Sequence, residues 1–173
     1  MTQKRNGQAL VEMAMIAPFL IMTLLMVIDC GRAAYTWSTL ADAAREGARA
    51  AITTGSNRPD DNRVITAVQA NAFGLSLNPG TCVNDTPPGN PSMAANTGLI
   101  YVGAGGIATT PNAPSGQPAA PAGVCGAVVP AYSGRHPLAV TIKYNFQPLT
   151  PFGAQFFNGG IVMTVTSTMS TEY

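Results

Sequence analysis

An apolar run near the N-terminus constrains this chain more than any other feature. Lys4-Arg5-Asn6-Gly7 leads into Gln8-Ala9-Leu10-Val11-Glu12, and an apolar stretch then runs from Met13 to Ile28, where Asp29 closes it. Ala9 to Ile28 is about long enough to cross a bilayer, which takes roughly 20 apolar residues at about 1.5 Å each. Glu12 does not belong in such a run. A carboxylate costs about 2.5 kcal/mol or more at the membrane centre and less towards its edge. Glu12 lies near the N-terminal edge, where the cost is reduced but not abolished. A charged residue there is a functional candidate by default.

Charge asymmetry orients the run. Lys4 and Arg5 stand on one side and Asp29 on the other, with Arg32 partly offsetting the difference. The positive-inside rule places the N-terminus in the cytoplasm and the rest of the chain outside. An ordinary secretory signal would also have a charged start and an apolar core. This run is longer than such a core, and a helical pattern continues past it. A lipoprotein signal ending at Cys30 is disfavoured, because Asp29 stands where a small residue is needed.

The same residues carry a family resemblance. A short basic leader, a glycine, and an apolar helix whose fifth residue is glutamate resemble the signal of type IV pilins. More closely, GQALVEMAMIAPFLIMTLLMVIDCGRAAY followed by LADAAREGARAA is similar to the TadE-like pseudopilins of the Tad (tight adherence, Flp pilus) system. The resemblance covers roughly residues 5 to 52, and the ending VTIKYNFQPLTPF…VMTVTSTMSTEY is similar with less specificity. It implies that a prepilin peptidase cuts between Gly7 and Gln8, making Glu12 the fifth residue of the mature chain. It also implies other Tad pilins or pseudopilins and an inner-membrane assembly platform as partners. One departure is Met13, where many members have an aromatic residue.

The reading of Glu12 has a physical basis. Cleavage after Gly7 would create an amine on Gln8, about one helical turn from Glu12. In a bundle of parallel helices, the amine of one subunit can meet Glu12 of its neighbour, and that pairing offsets the cost of burial. A polar contact in an apolar seam also fixes register. Ala9, Ala14 and Ala17 permit close helix packing. Pro18 removes one backbone bond and is expected to kink the helix, with or without a role in assembly.

Beyond Ile28 the helix formers continue to Ala51. Leu40, Ala44, Ala48 and Ala51 share one stripe, and Asp42–Arg45 and Glu46–Arg49 are favourable i,i+3 pairs. Gly47 costs about 1 kcal/mol relative to Ala, which suggests close approach of another element. Uninterrupted, Gln8 to Ala51 would form a rod of roughly 65 Å. A break at 53–57 precedes a second helix opened by Pro59-Asp60-Asp61. Its apolar face is Val64, Ile65, Val68, Ala72 and Leu75, and Gly74 ends or loosens it.

From Asn78 to Pro137, Pro and Gly recur and no charged residue stands between Asp85 and Arg135. Leu99–Val102 reads as one short strand. The rest reads as a long surface loop, with mobility expected at 109–123. Two strands follow. Leu138, Val140, Ile142, Tyr144 and Phe146 alternate with Thr141, Lys143 and Asn145, and Ile161, Met163 and Val165 alternate with Val162, Thr164 and Thr166. The linker between them carries Phe152, Phe156 and Phe157. An antiparallel pair of these strands would lay its apolar face on the stripe from Leu40 to Ala51.

Three cysteines remain. In an oxidising compartment Cys82 and Cys125 can pair, with about 4 kcal/mol of stabilisation by loop entropy. Cys30 is left over at the membrane edge. An odd cysteine can pair between molecules, but burial as a small helix residue is the more usual outcome.

Parts for catalysis are lacking. His136 is the one histidine, and no cysteine has partners at metal-ligand spacing. Gly103-Ala104-Gly105-Gly106 lacks the context of a phosphate loop. A net charge of +1 leaves no electrostatic footprint for nucleic acid. The expectation is therefore a non-enzymatic α+β protein without cofactor or metal. Residues 1–7 would be a leader and 8–29 a transmembrane helix. Residues 30–173 would form an extracytoplasmic pilin-like domain, a small antiparallel sheet on the second half of the helix with a long Gly/Pro-rich loop. The resemblance implies a minor pilin or pseudopilin in the bacterial inner membrane, in contact with lipid and possessing a route into a pilus. The alternative is an unprocessed single-pass anchor whose 78–137 loop binds a partner.

Overall fold

The computed structural model describes residues 4–52, 61–83, 86–104, 124–125, 135–150, 153–154, 157 and 160–172. One helix, α1 (Lys4–Ile52), takes up 49 residues, about 74 Å at 1.5 Å per residue. Pro18 lies within it. A second helix, α2 (Asp61–Asn71), follows. The strands are β1 (Ser76–Pro79), β2 (Thr97–Ala104), β3 (Val124–Cys125), β4 (Arg135–Phe146) and β5 (Ile161–Glu172).

The sheet is ordered β1-β2-β4-β5, and β3 also pairs with β2. β4 and β5 are antiparallel, with Ile142 opposite Val165. β2 joins β4 antiparallel, with Ile100 opposite Ile142. The two short strands run parallel to β2, β1 beside its start and β3 beside its end. The antiparallel sheet expected on the helix is therefore extended into a mixed one. Alternation explains which face of β4 and β5 turns inward. Val140, Ile142 and Tyr144 are buried with Met163 and Val165.

The core lies between this sheet and the second half of α1. Leu40, Ala43, Ala44 and Ala48 are fully buried in it. Small residues let the backbones approach, and Gly47 shows why. A Cβ at Gly47 would overlap the Val68 side chain of α2 and reach to 3.6 Å from Val140 of β4. Three elements thus meet at a position where α1 has no side chain. Val64, Ile65 and Val68 of α2, with Ala72 just beyond its end, complete the cluster. The chain turns after α2 through Gly74 at φ 74°, a conformation glycine adopts without strain. The exposed pairs Arg45–Asp42 (3.3 Å) and Arg49–Glu46 (3.8 Å) form as the i,i+3 spacing suggests, each worth a few tenths of a kcal/mol at about that level of exposure.

The polar face of β4 is also covered. Lys143 is buried, and its Nζ donates to the carbonyls of Pro88 (2.6 Å) and Gly89 (2.7 Å). Asn145 Nδ2 donates to Met93 O at 3.2 Å. Asn96, at φ 53°, accepts from Tyr144 Oη at 3.0 Å through its carbonyl and from Gln147 N at 3.1 Å through Oδ1. Residues 86–96 form part of the surface loop expected, none of them buried, and this part lies against the sheet. Their carbonyls satisfy polar side chains of β4 that would otherwise be buried without partners. Cys82 and Cys125 are joined by a disulfide with Cα atoms 5.4 Å apart. It ties this segment to β3. The helix opening at Pro59-Asp60, the span 109–123, and Phe152 and Phe156 lie outside the described residues.

Candidate functional site

Helix α1 has two different halves. From Gly7 to Ile28 every side chain is exposed except Ala17, which is half-buried. Leu10, Met13, Ile16, Phe19 and Leu20 are each more than half exposed. Asp29 is then buried, and the packed stripe begins beyond it. This helix is long and apolar enough to cross a membrane. Among the described residues, nothing packs closely enough on this first half to bury its apolar side chains.

The residues singled out at the N-terminus sit together on this bare half. Gln8 and Glu12 are one turn apart, and Gln8 Nε2 donates to Glu12 Oε1 at 3.3 Å. The backbone nitrogen of Gln8 belongs to the same turn of helix. Gly7 is more telling. A Cβ built there would meet nothing within 4 Å. Glycine in a helix costs about 1 kcal/mol relative to alanine, and at Gly47 packing explains that cost. At Gly7, as at Gly31, no neighbour among the described residues does.

Asp29 forms a second constellation that the sequence reading missed. Its Oδ1 accepts from the backbone N–H of Leu149 at 3.1 Å. Its Oδ2 accepts from the N–H of Thr150 at 3.3 Å and from the Thr150 hydroxyl at 2.6 Å. Arg32 Nη1 stands 3.7 Å from Oδ1, and the Arg32 guanidinium lies 5.5 Å from the centre of the Phe146 ring. The carboxylate latches the β4–β5 linker onto α1 where the bare half ends. Charge-assisted bonds of this kind are the stronger ones. A lone aspartate at the end of an apolar run reads as a boundary. Its partners are 120 and 121 residues away in sequence, so no local spacing signals the latch.

Below the latch, an open recess of about 630 Å³ separates the linker from the helix. Pro18, Met22, Leu25 and Met26 form its helix wall, and Pro148 and Phe157 lie opposite. Cys30 also lines it. The expectation of burial for Cys30 is corrected here. It is a free, exposed thiol, because the linker spans the helix without closing on it.

The remaining candidates are dispersed. Gly103 is strand, opposite Ala139 and beside Cys125, and so belongs to the sheet. His136 lies in β4 opposite Thr171. Among the described residues no group of three or more His, Cys, Asp or Glu side chains stands close enough to hold a metal ion.

The bare half-helix, its Gly7–Glu12 start and its packed continuation coincide with a known family pattern. Residues 7–49 match the family of TadE-like proteins. The TadE-like segment begins at the unexplained glycine and ends where the packed stripe of α1 ends. No curated protein and no solved structure matches the chain.

Proposed function

We propose that this chain is a minor pilin or pseudopilin of a Tad-type pilus, inserted in the inner membrane by the first half of α1 and matured by a prepilin peptidase between Gly7 and Gln8. The observation that carries the reading is the TadE-like match starting at Gly7, a helical glycine for which packing gives no reason. A peptidase that needs a small residue before the cut supplies one.

Residues 8–29 then form the membrane helix, with residues 30–173 outside. Once Gln8 carries a free amine, Glu12 of one subunit meets the amine of its neighbour in a bundle of half-helices. Other Tad pilins, the peptidase and the inner-membrane platform are the partners, and adherence through the pilus is the outcome. Support for assembly comes from the exposed apolar surface of α1 and from Glu12 lying clear of the folded domain on that surface.

Glu12→Leu tests the assembly step. The variant should insert in the membrane and lose its leader as wild type does, while pilus output falls by at least about tenfold, the effect of losing one desolvated charge pair worth about 1.4 kcal/mol or more. Pilus output equal to wild type, measured by shearing and quantifying surface filaments, would remove the role of Glu12.

A further inference from the structure

The recess between α1 and the β4–β5 linker has the dimensions and chemistry of a lipid site. Along the helix it extends from Pro18 to Ala33. Pro18 to the Asp29 latch is 11 residues, about 16 Å at 1.5 Å per residue. One leaflet of hydrocarbon is about 15 Å, half of a core of about 30 Å. If Ala9 to Ile28 crosses the bilayer, the recess therefore runs from near the midplane to the outer surface, and the linker residues Pro148 and Phe157 on its far wall dip into the outer leaflet beside the helix while the rest of the domain stays outside. Its walls are side chains of Met22, Leu25 and Met26 on one side and Phe157 on the other. Its volume of about 630 Å³ lies within the range of sites that hold small apolar ligands, about 300–1,000 Å³. The two polar residues on its wall, Asp29 and Thr150, are hydrogen-bonded to each other, so the interior asks for no polar partner.

A cation stands at the outer end. Arg32 lies one turn beyond Asp29 and contacts two lining residues, Asp29 and Phe146. Its side chain is 37% exposed, while Nη1 is itself buried beside Asp29 and has no hydrogen-bond partner among the described residues. Asp29 already accepts three hydrogen bonds from the linker, which leaves the guanidinium with donors to spare. The linker itself, Gln147 to Gly160, has no charged residue. An apolar slot one leaflet long, capped by a guanidinium at headgroup depth, is complementary to a phospholipid.

We propose that the recess binds one phospholipid of the outer leaflet of the inner membrane, with an acyl chain between α1 and the linker and its phosphate on Arg32. The site rests on the reading that the first half of α1 is a membrane helix. It makes the lipid a structural wedge that supports the linker against the helix. A second copy of the chain is the rival occupant, but a helix would not need a cation at one end of an apolar slot.

The test uses the full chain in detergent micelles, supplied with palmitoyl-oleoyl phosphatidylglycerol and examined by native mass spectrometry. Wild type should retain one lipid per chain. Leu25→Trp, which fills the slot from the helix side, should lower retention by at least about tenfold. Leu20→Trp, on the opposite face of α1, should leave it unchanged and controls for folding. Arg32→Gln should lower retention about fivefold while the disulfide still forms. Absence of bound lipid in wild type overturns the proposal, as does equal retention in the Leu20 and Leu25 variants. A lipid-free dimer that Leu25→Trp dissociates assigns the slot to a second copy and also overturns it. Alkaline carbonate extraction separates the two readings. Release of the chain from membranes would remove the anchor itself, whereas retention with no bound lipid would remove the lipid site alone.

Discussion

At the scale of single residues, two glycines and two carboxylates carry most of the account. Gly47 is explained from inside, by the Val68 side chain that fills the space above it. Gly7 has no such neighbour among the described residues, and on the proposed function its reason is the peptidase. Glu12 sits exposed on the bare half-helix, while Asp29 is buried at its end. Asp29→Ala would leave the N–H groups of Leu149 and Thr150 without their acceptor. Each lost partner costs about 1–3 kcal/mol, and every 1.4 kcal/mol is about tenfold in an opening equilibrium. Hydrogen exchange at those two amides should therefore accelerate by about ten- to a hundredfold, with β4 and β5 amides unchanged. Unchanged exchange at 149 and 150 would show that the linker is held by other contacts. Gly7, Glu12 and Gly47 were legible because each violates a local rule that a reader can apply to a short window. Asp29 violates none, since a charge after an apolar run is ordinary, and its partners come from the far end of the chain.

Elements read with similar selectivity. The long helix, the apolar face of α2 and the alternation of β4 and β5 were all visible, because period and length both exceed a few residues. β1 and β3 were not visible. They are 4 and 2 residues long and exist because β2 offers them an edge. The burial of Lys143 has no local signal either, since nothing in the alternation of β4 shows what covers its polar side. Here the carbonyls of Pro88 and Gly89 take the place of water. The junction of α1, α2 and β4 is the element-scale prediction. Gly47→Leu places a side chain where Val68 already packs, with Val140 close behind. Overpacking of this kind costs about 1–3 kcal/mol, and thermal unfolding of the domain should fall by several degrees, about 2–4 °C per kcal/mol at this size. An unfolding temperature equal to wild type would mean that α2 is free to shift away from α1.

The whole molecule is a rod with a domain on one half. The sheet and α2 bury one side of α1 beyond Asp29, and among the described residues the apolar half before it stays exposed. On the proposed function, burial of that half in lipid and then among neighbouring helices would remove its apolar surface from water in either state. Such a division suits a protein that changes surroundings without refolding. The TadE-like match covers residues 7–49, which is the rod and not the domain.

The central claim is that Gly7 is a processing site. It is tested most directly by the N-terminal residue of the chain purified from membranes, with and without its prepilin peptidase. The account predicts a chain beginning at Gln8 only when the peptidase is present, and an unprocessed chain in both strains for Gly7→Leu. A wild-type chain beginning at Met1 in both strains would contradict it and leave a plain membrane anchor. A chain beginning beyond Ile28 would contradict it differently, by making the apolar run a secretion signal.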